Sequence, residues 1–267
     1  MTFVTCHTSL YKCINLLLGV IVSRFFTNNS RQRTVNPTQT PDPWSKLYSA
    51  RRHVIACATV IEDMLPILPQ DVTHEVLDFG LHLDPNSLKQ VLQDKINEAS
   101  ADVDVLLLGY GLCSMAVVGL TATTATLVIP RVDDCTAIFL GSCHAYQREH
   151  QKEPGTYYLT KGWIEVGDTP FDEHNLLVER YGKAKAERMT KLMLKNYTRL
   201  ALINTGQYEI EKYREYSKKT AKTFDLRFEE IEGSSNMIEQ MLTGPWDDDF
   251  VVIRPGESVK YAQFTRS

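Results

Sequence analysis

No two of the six cysteines form a CxxC pair, and no GxSxG, HExxH or P-loop motif occurs in the chain. Those absences exclude a zinc ribbon, a thioredoxin-type redox pair, a serine-hydrolase elbow and a P-loop nucleotide site. Six cysteines over 267 residues are also too few and too widely spaced for a small secreted disulfide scaffold. Acidic residues are missing before Asp42, whereas seven Lys or Arg stand between Met1 and Arg52. That stretch carries a net +6, which leaves −10 on the remainder of a chain whose total is −4. An acidic body without a clustered basic stripe is a poor partner for nucleic acid. The longest apolar run, Ile14–Val22, falls short of the roughly 20 residues that span a bilayer, so no stable membrane span is expected.

What is present is ordinary globular composition, 43% hydrophobic and 23% charged, long enough to bury a substantial core. The Arg- and Ser-containing, acid-free N-terminus resembles a transit peptide, which points to a mitochondrial or other organellar location, and otherwise a cytoplasmic one. A secretory signal or an overextended gene model are the rival readings. Asn36–Pro43 (NPTQTPDP) reads as an extended linker, because proline disfavours helix before and within it. Residues 1–52 are therefore read as presequence and linker, dispensable for folding up to about Trp44, and residues 53–267 as one folded α/β body.

From His53 onward, apolar runs alternate with helical periods. Strands are predicted at His53–Cys57, His74–Phe79, Val103–Leu108 and Thr126–Ile129, and again at Thr156–Leu159, Leu200–Ile203, Arg227–Ile231 and Phe250–Ile253. Helices are predicted at Thr59–Leu65 and Asn86–Ala99, then continuously from Asp134 to about His150 and from Asn175 to Lys195, followed by Tyr208–Thr223 and Ser235–Leu242. The pattern implies a mainly parallel, doubly wound, Rossmann-like sheet, either extended or split into two βα lobes.

Loops at the carboxyl ends of such strands hold ligands. Cys57 ends the first strand, His82 follows the second, Cys113 the third and Cys135 the fourth. A parallel sheet brings all four to one rim, and three thiolates with one imidazole are an established tetrahedral zinc set. The competing reading makes Cys57 and Cys113 small core residues and His82 a cap. Cys143 and His144 form a further candidate pair. Asp133 and Asp134 precede Cys135, where one serves as an N-cap and one as general base or support for a metal ligand. Arg131, on the same loop, suits an anionic substrate group. Gly109 and Gly111 after the third strand mimic a dinucleotide-binding turn but lack its third glycine; their alternative role is close backbone approach.

Ile55-Ala-Cys57, Leu81-His82-x-x-Pro85, Tyr110-Gly-Leu-Cys113, Asp133-Asp-Cys135 with Phe139-Leu-Gly-Ser142, and Gly155-Thr-Tyr-Tyr-Leu-Thr160 together resemble the domain of unknown function 1638 family, from about His53 to Phe264. The family has no assigned activity. Its members often lie beside corrinoid-dependent methyltransferase genes, so the resemblance implies one-carbon, methylamine or methyl-transfer chemistry and a corrinoid or methyltransferase partner. Two functions compete: a metal-dependent, zinc-like enzyme acting on a small molecule, and a non-catalytic metal- or cofactor-handling accessory protein.

Overall fold

The β-branched and leucine-rich runs form strands because both faces of a parallel sheet are covered by helices and reward continuous apolar sequence. The computed structural model describes residues 42–166 and 169–265; the transit-peptide and apolar-run expectations lie outside them. Among the described residues, no helix is long and apolar enough to cross a membrane. Two sheets are present. The first runs in the order β2 (Thr73–Leu77), β1 (Arg52–Cys57), β3 (Val105–Gly109), β4 (Thr126–Pro130) and β8 (Phe250–Ile253). Its first four strands are parallel, and β8 closes the edge antiparallel to β4. The second sheet is wholly parallel, in the order β5 (Thr156–Leu159), β6 (Arg199–Asn204) and β7 (Arg227–Glu232). The α/β, Rossmann-like expectation is thus met, with β5, β6 and β7 in a sheet of their own and β8, the last strand of the second series, joining the first sheet.

Helix α1 (Ala58–Met64) follows β1, and α2 (Pro85–Ala99) follows β2 behind the Asp84 cap and a proline at its first position. Two predicted long helices are broken. The first becomes α3 (Cys135–Phe139) and α4 (Cys143–Lys152). Gly141 turns the chain at φ +79°, and the Ser142 hydroxyl accepts from the Ala145 amide at 3.0 Å to start a new helix. The second becomes α6 (Pro170–Tyr181) and α7 (Lys183–Met193), parted by Gly182 at φ +77°. A short α5 (Lys161–Val166), absent from the sequence reading, follows β5. Helices α8 (Glu211–Thr223) and α9 (Asn236–Thr243) complete the second series.

Ordered packing begins before His53. Trp44, Leu47 and Tyr48 lie against the main core, and the Tyr48 hydroxyl donates to the Asp42 carboxylate. The folded body therefore includes residues placed earlier in the linker, because the Tyr48 ring packs edge-on against Trp246 at 4.9 Å.

The two sheets meet through their carboxyl ends. Gly162, on α5, lies so close to α1 that an added Cβ would stand 2.3 Å from the Thr59 carbonyl oxygen. The Thr205 hydroxyl, beyond β6, reaches Asp63 on α1 at 3.4 Å. Ser234, beyond β7, donates its amide to the Phe139 carbonyl at the end of α3 (2.9 Å). The main core accordingly includes Ala201, Ile203 and Ile231 from the second sheet.

Arg199 anchors the far end of that sheet. Its side chain is buried and meets Glu149 at 3.2 Å, Glu229 at 3.0 Å and the Thr156 hydroxyl at 2.7 Å. Removing one member of such a cluster leaves buried charge uncompensated. Arg199→Ala is expected to cost about 3 kcal/mol in denaturant unfolding, whereas Lys95→Ala, whose ion pairs with Glu75 and Glu98 lie at the surface, should cost less than about 1 kcal/mol.

Candidate functional site

The third strand delivers the centre of the site. β3 is buried along its whole length and continues into Tyr110, whose side chain is fully buried. Gly109 permits this course, because a Cβ there would lie 2.6 Å from the Ala56 Cβ of the neighbouring strand. Gly111 is equally constrained: a Cβ would stand 2.7 Å from the Val132 carbonyl oxygen. Both glycines are spent on close packing. No helix follows β3 before β4, so the helix N-terminus that a dinucleotide-binding turn requires is missing at Gly109 and Gly111. Close packing, the alternative role of these two glycines, accounts for both.

The Tyr110 hydroxyl is buried and has no hydrogen-bond partner among the described residues. Leaving such a group unsatisfied costs about 1–3 kcal/mol, so a native chain that keeps one calls for an explanation. Burial first, and then the neighbouring Cys57, Cys113 and Cys135, push its pKa far above the ordinary phenol value. The three rim thiols predicted from sequence thus act on one tyrosine electrostatically.

Each thiol is held differently. Cys57, the last residue of β1, is buried, and its Sγ lies 2.8 Å from the Thr59 hydroxyl. Burial raises its pKa, so it rests as a thiol. Cys135 opens α3 and is nearly buried. Cys113 lies on a loop tied to the one after β4, with Leu112 N–H donating to Val132 (2.8 Å) and Cys113 N–H to Asp133 (3.1 Å). Three consecutive non-glycine residues there, Cys113, Ser114 and Met115, adopt left-handed φ values of +43°, +57° and +76°. Each costs about 1–2 kcal/mol, and such strain concentrates at functional loops.

His82 lies on the 3-10 turn Phe79–Leu83 beyond β2, as its position in the sequence implies. Its Nδ1 is 3.1 Å from the Phe79 carbonyl oxygen, and its ring is stacked between Phe79 (5.2 Å) and Tyr110 (5.9 Å). Burial lowers its pKa. Among the described residues, no group of three or more His, Cys, Asp or Glu side chains stands ready to hold a metal ion. Cys57, His82, Cys113 and Cys135 therefore share a rim without converging on one point.

Asp134 caps α3, its Oδ1 accepting from the Thr136 amide at 2.8 Å. Burial lifts its carboxyl above the usual range, with the Thr136 contact opposing. Asp133 is exposed, and Arg131 carries a buried Nε without a hydrogen-bond partner among the described residues. Burial first, and then Asp134, Tyr158, Asp133 and Cys143, raise the pKa of Tyr146 on α4.

A carboxylate absent from the sequence reading lies behind the rim. Asp63 is fully buried on α1; Oδ1 meets Thr205, and Oδ2 has no partner among the described residues. Burial raises its pKa from 3.8 to about 7, outweighing the opposing pull of Thr205 and Lys161, while Glu62 adds to the rise. Asp63 and Tyr110 were both illegible in one dimension, since each resembles an unremarkable helix or core residue.

Residues 76–242, more than half of the chain, match a family model described as "Protein of unknown function (DUF1638)". No curated protein and no solved structure matches.

The raised pKa of Asp63 sets a pH dependence. Below about pH 4 the carboxyl is neutral folded and unfolded; above about pH 7 it is charged in both, and the folded state bears the full burial cost. Stability is expected to fall across that window by about 4 kcal/mol through this group. Asp63→Asn should flatten the decline in denaturation midpoints measured between pH 4 and 8; an unchanged decline would show that other groups cause it.

Proposed function

Because the chain belongs to the domain of unknown function 1638 family, whose activity is unassigned, we propose a function from the rim itself: a metal-dependent enzyme acting on a small molecule, with Cys57, Cys113 and Cys135 holding a zinc-like ion. The observation that carries this reading is the buried Tyr110 hydroxyl, which has no partner among the described residues and on which three thiols act electrostatically. The donor chemistry fits a borderline-soft ion. The spacing requires movement, and the strained segment Cys113–Met115 is the element that can relax to supply it. When bound, the ion would polarise a substrate oxygen or nitrogen as a Lewis acid.

The chain's own groups then divide the remaining work. Arg131 would bind an anionic part of the substrate, and Asp133 is the accessible carboxylate for taking or giving a proton. Asp134 acts through the α3 cap, positioning Cys135. Met115 and Leu83, respectively 46% and 74% exposed, flank the rim and offer apolar surface to a ligand or partner. Methyl-transfer chemistry beside a corrinoid-carrying partner is the specific form that the family's gene neighbourhood suggests.

A second reading, an accessory protein that hands on a metal or cofactor, is favoured by one observation: Asp134 is engaged in capping and Asp133 is exposed, so neither carboxylate is fixed toward the thiols. A carrier needs no such group.

The full chain, purified without chelators, is expected to contain about one zinc-like ion. Cys113→Ser and Cys135→Ser should lose it while keeping the fold. Asp133→Asn and Asp134→Asn should retain it, since asparagine caps a helix as well as aspartate. Full metal content in both serine variants would end the metal reading. Rapid stripping of the ion by a dilute chelator would favour the carrier over the enzyme.

A further inference from the structure

We infer that the α6–α7 hairpin is the surface through which two copies of this chain associate. The hairpin is anchored at its base. Phe171, near the start of α6, packs against Tyr157 (5.0 Å) and Phe224 (5.1 Å), and the Tyr216 hydroxyl donates to Asp172 at 3.0 Å. Beyond that base the two helices pack chiefly on each other. Ala186 and Thr190 of α7 are buried, and His174 Nδ1 on α6 lies 2.8 Å from the Thr190 hydroxyl. Three of the seven large hydrophobic side chains exposed among the described residues stand on this short element: Leu176 at 65%, Leu192 at 66%, and Tyr181. Tyr181 already carries a cation of its own chain, with Lys185 Nζ 4.5 Å from the ring centroid. The leucines have no such cover. One exposed leucine is ordinary; here each of two mutually packed helices presents one.

The charges around the leucines identify the partner. Within one helical turn of Leu176 stand Asp172, Glu173, Glu179 and Arg180, a net negative set. One turn before Leu192 stands Arg188, on a helix whose other charges are Lys183, Lys185, Lys191 and the single acid Glu187. Glu179 on α6, and Arg188 and Lys191 on α7, make no ion pair among the described residues. One helix of the hairpin is therefore acidic and the other basic, each around an exposed leucine. A two-fold axis that sets α6 of each copy against α7 of the other brings acid to base twice. It also covers each Leu176 with the apolar face that carries Leu192 in the second copy. An interface between identical chains requires this kind of self-complementarity. It also has the usual composition, an apolar centre with a charged rim. Pairing α6 with α6, or α7 with α7, would set like charges together.

Sedimentation equilibrium of the full chain tests this. The wild-type protein is expected at twice the mass of one chain at micromolar concentration. Leu176→Ser combined with Leu192→Ser should weaken association at least about tenfold while leaving thermal melting of the subunit unchanged. Glu179→Lys is expected to weaken it as well, and so is Arg188→Glu combined with Lys191→Glu, because either change opposes like charges twice. Mixed together, these two charge variants should pair with each other about as tightly as wild type, since every α6 then faces an α7 of opposite sign. A monomeric wild-type chain would overturn the proposal. So would a dimer whose affinity the serine changes leave intact, or charge variants that associate no better mixed than apart. If the serine variant does not fold, the mixing experiment decides: restored pairing supports the assignment, and its absence ends it.

Discussion

The constraint at the centre of this rim is one buried hydroxyl that water cannot reach. Tyr110 sits where β3 ends, and its oxygen has been taken from water without compensation from the described residues. Its ring is fixed by packing that begins at Gly109 and Ala56, and by the stacked His82. Around that fixed point the chain places a deep thiol at the end of β1, a second at the start of α3 and a third on a strained loop. The first two belong to rigid elements. The third is held in a conformation that L-residues rarely adopt, so the site has one adjustable side facing two that are not.

The second sheet acts on the same region from behind. After each of its strands the chain touches the first unit: Gly162 against Thr59, Thr205 against Asp63, Ser234 against Phe139. Thr59 is also the partner of Cys57, so α1 links the packing of α5 to the deepest thiol through one residue. Burial raises the Asp63 carboxyl to about 7 at this junction, so its charged form is disfavoured where the sheets meet. The rim and the junction are therefore physically continuous, although they involve different chemistry.

Much of this was legible in the sequence. The all-apolar run ending in Leu108 marks β3, and Cys57, His82, Cys113 and Cys135 each follow an apolar strand, which places them at carboxyl ends. Asp134 was readable as a cap because a short acceptor side chain stands just before a helix. The breaks at Gly141 and Gly182 were missed because amphipathic periodicity runs through them, while the positive φ that ends each helix is a backbone property. Tyr110 was missed because its significance lies in a partner it lacks, which only packing reveals. Asp63 sits beside Glu62, and the pair reads as a solvated helix face until α5 and Thr205 cover one of them. The direction of His82 was illegible for the same reason: spacing fixes the edge a residue reaches, not the atom it faces.

The most direct measurement of the central claim is X-ray absorption at the metal edge of the intact chain, purified in its native metallation state. A sulfur-dominated first shell near about 2.3 Å is the expected result. A shell of nitrogen and oxygen alone, or protein that binds no transition metal while its thiols remain reduced, would contradict it.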